Sequence, residues 1–246
     1  MIAVILAAGL GIRLRPFTHM IPKGLIEIDG ETLLERSLKN LSMHGIQRAI
    51  LVIGHLGDMI RGRLNEHCRG MEITYVENQK YATTGSMYSF STAREMIQDD
   101  VLILDGDLLY DRIAIRKIVE SKFENCTIIT NLSGSGDEVY VCTDGNDRLT
   151  WLGKKLPDHR SPQGEFMGIT KLSRRFLDRL FDEADQDYRQ ALSTYFFEDV
   201  VFHTNLRHDD CPVHAIYLND LKWMDIDKES DYIRASTVLY PQLTES

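Results

Sequence analysis

Two features of the sequence predict an α/β fold. In this fold, a three-layer sandwich, helices cover both faces of a mostly parallel sheet. Short apolar runs rich in β-branched residues recur along the first half of the chain, and helix-like segments lie between most of them. The runs are continuous rather than alternating, which is typical of parallel strands buried on both faces. Strands that alternate with helices favour this layered arrangement.

The first half of the chain supplies the elements of this sheet. The predicted strands are Ala3–Leu6, Ala49–Ile53, Ile73–Val76, Val101–Leu104 and Thr127–Thr130. Apolar residues at helical spacing predict helices at Glu31–His44, Ser86–Gln98 and Ile113–Ser121.

The second half has a different texture. A hairpin is predicted around the turn sequence DGND, with strands at Glu138–Thr143 and Arg148–Leu152. Further on, we expect helices around Arg174–Ala184 and Tyr188–Thr204, a strand at Val213–Leu218 and a last helix from about Lys228 to Leu239. The chain is expected to form a single domain, residues 1–246, with a smaller, partly antiparallel lobe near residues 138–170 and 190–225.

Composition narrows the classes of partner. The chain has 246 residues and a net charge of −9, which argues against nucleic acid as the main partner but not against a small phosphorylated ligand. No stretch reaches the roughly 18 apolar residues that a membrane span needs, so no membrane partner is expected. The first apolar run is short and has no basic segment before it, which argues against a signal peptide. The four cysteines form no CxxC pair, and we expect reduced thiols in a cytoplasmic protein.

The opening stretch AVILAAGLGIRLRPFTHMIPKGLIEI is the strongest functional signal. A glycine turn after a buried strand points backbone N–H groups one way, which suits phosphate oxygens. The dinucleotide fingerprint requires a third glycine where Leu14 stands, and the Walker A pattern is absent. Arg13, Arg15 and Lys23 bring three positive charges to the turn, as a triphosphate would require. A tight turn with surface arginines is the structural alternative.

These motifs resemble the signature of the nucleoside-triphosphate transferases, the sugar-phosphate nucleotidylyltransferase-like family. The stretch LAAGLGIRLRPFT, followed by PKGL, fits the family pattern almost throughout, and WMDIDKES resembles its closing metal segment. The resemblance implies a Rossmann-like fold and catalytic roles for Arg13 and Lys23. It also implies a nucleotide site formed by Leu6, Ala7, Ala8, Gly9, Gly11, Arg13, Lys23, Thr83, Thr84, Gly85 and Asp105.

Two acidic motifs indicate a magnesium site. Asp105 and Asp107 follow a buried strand, and Asp225 and Asp227 alternate in WMDIDKES, where a short strand would carry both on one face. Mg²⁺ takes one or two carboxylates together with phosphate oxygens. The resemblance assigns Asp107 and Asp227 as the Mg²⁺ ligands. The alternative for Asp227 is a cap on the helix that follows it.

The resemblance also narrows the substrates. The stretch ENQKYATTGSMYSF resembles sequences of the subgroup that uses CTP with small amine-bearing phosphates or phosphonates. Its residues favour the 2-aminoethylphosphonate cytidylyltransferases, with the phosphocholine enzymes next. Acidic and aromatic side chains would hold the ammonium group, although the phenylalanines of YFFEDV are as readily core residues. The expected acceptor residues are Lys154, Glu165, Glu198, Asp199 and Trp223.

Several alternatives stay open from the sequence alone. The acceptor could be a sugar 1-phosphate or a phosphoglutamine-type compound, and the chain could be a silent nucleotide-binding regulator, although a regulator need not keep metal carboxylates. A dehydrogenase is disfavoured by the incomplete fingerprint. His203, His208 and Cys211 match no standard zinc spacing, which favours a solvated loop. The sequence leaves the oligomeric state open, a homodimer included.

Overall fold

A nine-stranded mixed sheet organises the structure, a computed structural model that describes residues 1–68, 70–189 and 194–244. The strands in chain order are β1 (Ile2–Ala7), β2 (Glu27–Ile28), β3 (Glu31–Thr32), β4 (Arg48–Ile53), β5 (Glu72–Glu77), β6 (Val101–Asp105), β7 (Leu108–Tyr110), β8 (Cys126–Thr130), β9 (Tyr140–Thr143), β10 (Leu149–Gly153), β11 (Gly164–Leu172), β12 (His214–Tyr217) and β13 (Trp223–Asp225).

Helices connect most of these strands. They are α1 (Leu33–Met43), α2 (Gly57–His67), α3 (Ser86–Thr92), α4 (Ile113–Val119), α5 (Arg174–Arg189), α6 (Phe197–Arg207), α7 (Glu229–Arg234) and α8 (Tyr240–Thr244). A π-helical segment, Ala235–Leu239, joins the last two, and single 3₁₀ turns occur at Ile12–Leu14, Phe17–His19, Lys23–Leu25 and Arg94–Met96.

The parallel half of the sheet confirms the predicted fold class. Strands β5, β4, β1 and β6 are adjacent and parallel, and Ile5 of β1 lies between Leu51 and Leu104 of its two neighbours. Strand β11 then runs antiparallel to both β6 and β8, and β12 pairs in parallel with β8. All five strands predicted in the first half are present, with ends shifted by one residue or less.

Side chains of successive strand residues enter apolar cores on opposite faces of the sheet. Val4 packs in a core with Phe90 and Phe176, whereas Ile5 packs in a second core with Leu34 and Leu38. This alternation follows from the two-residue period of a strand, and it explains why a continuous apolar run is needed in the middle layer.

A third apolar cluster joins the opening loop to the end of the chain. It includes Leu14, Ile26, Leu109, Ile226 and Ala235, all buried. The cluster therefore fixes the loop that carries Arg13 and Lys23 against the short ladder formed by β7 and β13.

The second half departs from the sequence prediction in two places. Strand β11 was not predicted, although it pairs with β6, β8 and β9. The helix predicted over Tyr188–Thr204 is wrong, because α5 extends to Arg189 and α6 begins only at Phe197. Residues 190–193 of that prediction lie outside the described residues. The start of α6 is defined by the Asp199 carboxylate, which accepts a hydrogen bond from the backbone N–H of Phe196 at 3.3 Å.

The hairpin predicted in the second half is confirmed. The hairpin around DGND is formed by β9 and β10, and the Asp144 carboxylate accepts from the backbone N–H groups of Asn146 and Arg148 in the turn. The four cysteines are unpaired. Within the described ranges, every helix is too short or too polar to cross a membrane.

The central position of β1 generates a stability prediction. Ile5→Ala removes a fully buried side chain, so the free energy of unfolding should fall by about 2–5 kcal/mol because a cavity is left between packed layers. The matched control is Ile233→Ala in α7, where the side chain is 54% exposed, and where a change within about 0.5 kcal/mol is expected. Urea unfolding followed by circular dichroism measures both, and equal losses would contradict the proposed central core.

Candidate active site

A cleft of about 460 Å³ opens where β1 and β6 end. Its walls include the glycine turn after β1 and the Asp105–Leu108 segment after β6. Ligands of open α/β sheets bind at the carboxyl ends of parallel strands, where loops diverge and backbone groups are free. The cleft is therefore the candidate active site.

The glycine turn is shaped by Thr18. Gly11 has a φ of +60°, and a Cβ added there would lie 2.8 Å from the Thr18 Cγ2 atom. The Thr18 hydroxyl also donates to the Gly11 carbonyl at 2.7 Å. By contrast, a Cβ at Gly9 would meet no atom within 4 Å, so this side of the turn faces open space. Both glycines line the cleft, as do Leu6, Ala7 and Ala8.

Three residues from distant parts of the chain meet at one charged group. The Lys23 ammonium donates to the Asp107 carboxylate at 2.7 Å and to the Asp227 carboxylate as well. The acids lie 84 and 204 residues after Lys23 in the chain. The β7–β13 ladder unites them, because the Ile226 N–H donates to the Asp107 carbonyl at 3.1 Å.

The charges of this cluster stabilise one another. Burial alone would lower the pKa of Lys23, but Asp107 and Asp227 outweigh it and hold that pKa above its ordinary value. Burial would raise the pKa of Asp227, and the Lys23 ammonium reverses this and lowers it. Arg13 donates to the other oxygen of Asp227, so this carboxylate joins both predicted catalytic cations.

The Asp227 side chain does not cap the helix that follows it. The cap of α7 comes from Asp231, whose carboxylate accepts from the backbone N–H groups of Asp227 and Lys228 at 3.1 and 2.8 Å. The Asp227 side chain instead points to Lys23 and Arg13. The expected shared strand face is wrong, however, because β13 ends at Asp225 and Asp227 lies beyond it.

The donor set fits Mg²⁺ in part. Asp107 and Asp227 offer hard carboxylate oxygens, and two is within the one or two protein carboxylates that Mg²⁺ uses, although both bind the Lys23 ammonium in this structure. Among the described residues, no group of three or more His, Cys, Asp or Glu side chains is placed to hold a metal ion. The remaining ligands would therefore have to be substrate phosphate oxygens and water.

The turn before α3 forms another wall of the cleft. Thr84, Gly85, Ser86 and Ser89 line it, and the buried Asn78 amide donates to the hydroxyls of Thr84 and Ser89 at 3.1 and 2.9 Å. A side chain at Gly85 would collide with the Tyr195 carbonyl oxygen, because an added Cβ would lie 2.1 Å away. The Asn78 hydrogen bonds and the close approach of Tyr195 therefore fix the conformation of this turn.

Two predicted nucleotide-site residues have different surroundings. Asp105 lines the cleft, and burial together with the nearby Asp107 carboxylate raises its pKa. Thr83 does not line the cleft, and its hydroxyl donates to the Lys80 carbonyl at 3.3 Å within the turn. Arg15 is exposed and likewise lies outside the lining.

The predicted acceptor residues are brought together except for one. Lys154, Glu165, Glu198 and Trp223 line the cleft. Asp199 does not, because its carboxylate caps the start of α6. Of the two phenylalanines, Phe197 is buried in the core while Phe196 is 49% exposed and lines the cleft.

Glu165 and Trp223 already have partners. The buried Glu165 carboxylate accepts from the Ser133 N–H at 2.7 Å. The Trp223 indole N–H donates to the Thr130 hydroxyl at 3.0 Å. Glu165 therefore anchors the loop that follows β8, in addition to lining the cleft.

Asp137 is the main cleft residue that the sequence interpretation missed. Its carboxylate accepts from the Arg13 guanidinium and, at 2.7 Å, from the Lys154 ammonium. It lies in the Ser- and Gly-rich loop after β8, where an acidic residue is too common to indicate a role. Arg13 lies 124 residues from Asp137 in the chain and Lys154 lies 17 residues from it. Nothing local in the sequence shows that this loop contacts both cations.

The histidines of HTNLRHDDC do not meet at a metal site. His208 Nε2 lies 3.6 Å from the Glu183 carboxylate, whereas Cys211 Sγ accepts from Arg179. His203 instead contacts the aromatic rings of Tyr195 and Phe202.

Comparison with known proteins identifies the family. The MobA-like NTP transferase domain matches residues 3–192. The chain belongs to this family. The nucleotidyltransferase resemblance seen in the sequence is thereby confirmed, and family membership is at odds with the dehydrogenase alternative.

Two relatives have names that refer to CMP or CTP chemistry. The CMP-5'-(3-aminopropyl)phosphonate synthase of Streptomyces rubellomurinus is 27% identical over 95% of this chain, which spans 38% of that protein. The CTP:phosphoglutamine cytidylyltransferase of Campylobacter jejuni is 24% identical over 75% of this chain and 79% of its own.

A solved structure has the same fold. The inositol-1-phosphate CTP transferase from T. maritima superposes with a TM-score of 0.81 at 20% identity, over 99% of this chain and 94% of its own. The MobA-like chain described here thus has the α/β nucleotidyltransferase fold, with its cleft at the carboxyl ends of the parallel strands.

The environment of Glu198 predicts a pH dependence of stability. Burial, with a smaller contribution from Asp199, raises the pKa of Glu198 to about 7, whereas an unfolded glutamate has a pKa of about 4.3. The folded state therefore holds the proton more tightly, so this group's contribution to stability is fully present below about pH 4.3 and is lost as pH rises toward 7.

Glu198→Gln should make the free energy of unfolding less dependent on pH between 5 and 8, as measured by urea unfolding at each pH. Glu229→Gln, at an exposed glutamate in the first turn of α7, is the control and should keep the wild-type dependence. An unchanged pH dependence in Glu198→Gln would show that the carboxyl group is not held in this environment.

Proposed function

We propose that the protein is a Mg²⁺-dependent cytidylyltransferase. It transfers CMP from CTP to a small amine-bearing phosphonate or phosphate and releases pyrophosphate, with 2-aminoethylphosphonate as the favoured acceptor and phosphocholine next. The convergence of Lys23, Asp107 and Asp227 beside the glycine turn is the observation that carries this proposal. The Streptomyces relative, named for an aminopropylphosphonate product, supports the acceptor class.

The cleft suggests how the nucleotide is oriented. The backbone of the turn from Leu6 to Gly11 would hold phosphate oxygens, because the turn lines the cleft and an added Cβ at Gly9 would meet no atom within 4 Å. Thr84 and Gly85, in the turn fixed by Asn78, would contact the cytosine. Arg13 and Lys23 also line the cleft and would contact the phosphates.

The reaction requires two anions to approach one another. An ionised oxygen of the acceptor attacks the α-phosphorus of CTP and forms a new P–O bond. The bond from that phosphorus to the bridging oxygen breaks, and pyrophosphate leaves in line with the electron pair. No general base is needed, because the attacking oxygen carries no proton.

The side chains of the cleft reduce the repulsion between the reactants. Lys23 and Arg13 direct positive charge toward the triphosphate, and their positions are fixed by carboxylates before substrate arrives. Mg²⁺ held by Asp107 and Asp227 would supply additional positive charge to the phosphate oxygens when bound. Lys154, which shares the Asp137 carboxylate with Arg13, would contact the acceptor's phosphonate.

A phosphoglutamine-type acceptor is the second candidate. The Campylobacter relative covers most of both chains and uses CTP by name. A sugar 1-phosphate is the remaining alternative within the same chemistry. A silent regulator is less consistent with the cleft, because both carboxylates proposed to hold metal are present and face one point.

The cysteines and the sheet bear on the compartment and the domain organisation of the enzyme. The four unpaired cysteines agree with a reducing compartment, and we propose that the protein acts in the cytoplasm. We propose one domain over residues 1–246, because strands from both halves share one sheet. A homodimer would be compatible with this proposal, and light scattering of the purified chain tests it.

Pyrophosphate release tests the proposed reaction. Each of the four common NTPs is paired with 2-aminoethylphosphonate, phosphocholine, phosphoethanolamine, phosphoglutamine and several sugar phosphates. We expect the highest kcat/KM with CTP and 2-aminoethylphosphonate, loss of turnover in EDTA and recovery with Mg²⁺. Turnover restricted to sugar phosphates, or absent with every CTP pair, would reject the preferred function.

Two substitutions test the charged cluster. Lys23→Ala and Asp107→Ala should each lower kcat by about 100-fold or more, because a preorganised charge at the phosphates is lost. Lys39→Ala, at a lysine that is 66% exposed and pairs with Glu31, is the matched control and should retain wild-type turnover. Circular dichroism checks the fold of each variant, and near-normal kcat in a folded cleft variant would remove the role assigned to that residue.

A further inference from the structure

The loop after β8 carries a carboxylate that occupies the position expected for a substrate anion. Asp137 accepts hydrogen bonds from Arg13 and Lys154, the cations proposed for the triphosphate and the acceptor phosphonate. All three residues line the cleft. Substrate phosphates that take over the donors now bound to Asp137 would displace this carboxylate from one or both cations.

The two ends of this loop are held differently. At Ser133, the backbone N–H donates to the buried carboxylate of Glu165 at 2.7 Å. Toward Asp137, the loop contains Gly134 and Gly136, both with positive φ. The Asp137 side chain is held by ion pairs that are partly exposed to solvent. Ion pairs of this kind contribute little net stability, so they can be exchanged for others.

The charge left after such an exchange depends on the acceptor. A phosphonate bound to Lys154 replaces the Asp137 carboxylate there, and the triphosphate replaces it at Arg13. The displaced carboxylate then lies beside several phosphate charges without a cation, which is unfavourable. An acceptor with its own ammonium group restores the balance, whereas a sugar phosphate does not.

The surroundings already hold an ammonium group. The Lys154 Nζ atom lies 2.7 Å from the Asp137 carboxylate and 5.8 Å from the centre of the Phe196 ring. A carboxylate combined with an aromatic face is a favourable environment for an ammonium. When Lys154 moves to the phosphonate, the acceptor's ammonium can occupy the position that the Lys154 ammonium vacates.

We propose that Asp137 is the residue that selects amine-bearing acceptors, by exchanging its pairs with Arg13 and Lys154 for the acceptor's ammonium group. The proposal rests on the cytidylyltransferase function above and assigns acceptor selectivity to a loop carboxylate. Asp199, one of the acidic residues expected from the sequence to bind the ammonium, is instead engaged at the start of α6.

The test compares two phosphonates that differ only in the amine. Wild-type protein and Asp137→Asn are assayed for pyrophosphate release with CTP and 2-aminoethylphosphonate, and ethylphosphonate is titrated as a competitive inhibitor. Asp137→Asn should raise the KM for 2-aminoethylphosphonate about tenfold or more, because a charge-assisted hydrogen bond is lost. The inhibition constant of ethylphosphonate should stay unchanged or fall, since the competing carboxylate is gone.

Asp209→Asn is the matched control. Asp209 also pairs with an arginine, Arg148 at 2.7 Å, but it is 89% exposed and does not line the cleft. This variant should keep both wild-type constants. Thermal unfolding of both variants checks that each one is folded.

The outcomes separate the two levels of the proposal. If wild-type protein releases no pyrophosphate from CTP with any acceptor, the proposed function fails and the role of Asp137 falls with it. If wild-type protein uses 2-aminoethylphosphonate but Asp137→Asn keeps the wild-type KM, or weakens ethylphosphonate to the same extent, only the role of Asp137 is overturned. A selective loss for the amine-bearing compound supports it.

Discussion

The attraction between one lysine and two carboxylates is the constraint around which the cleft is arranged. Asp107 and Asp227 would repel each other in a partly buried site. The Lys23 ammonium lies between their carboxylates and offsets this repulsion. Every element that carries one of these residues must therefore stay in register with the other two, or charge is left uncompensated in the cleft.

That register is maintained by apolar packing below the charged residues. The cluster containing Leu14, Ile26 and Ile226 lies under the loop of Lys23 and the segment of Asp227. The backbone hydrogen bond from the Ile226 N–H to the Asp107 carbonyl then aligns the segment of Asp227 with that of Asp107. Packing and hydrogen bonding fix the backbone, so the side-chain charges meet without having to organise the chain themselves, which is the preorganisation that electrostatic catalysis requires.

The sequence predicts those parts of the structure whose physical cause is local. The parallel strands are continuous apolar runs, and the glycine turn with Arg13 and Lys23 is contiguous in the chain. Strand β11 was missed because it mixes two glycines with Glu165 and Lys171, whose burial becomes tolerable only through tertiary hydrogen bonds to Ser133 and Ser121. Asp137 was missed for the same reason, since its partners come from other elements of the fold.

Paired charges in the cleft also explain how an acidic protein can hold anionic substrates. The chain has a net charge of −9, yet Arg13, Lys23 and Lys154 are gathered in one place and each is paired with an aspartate. Under the proposed function, substrate binding would exchange ion pairs rather than add to bare cations. Exchange would lower the net gain from any single phosphate, so discrimination would depend on whether an acceptor satisfies both the cations and the carboxylates that it separates. A cleft of this kind favours a ligand with the matching pattern of charges over one that is merely more negative.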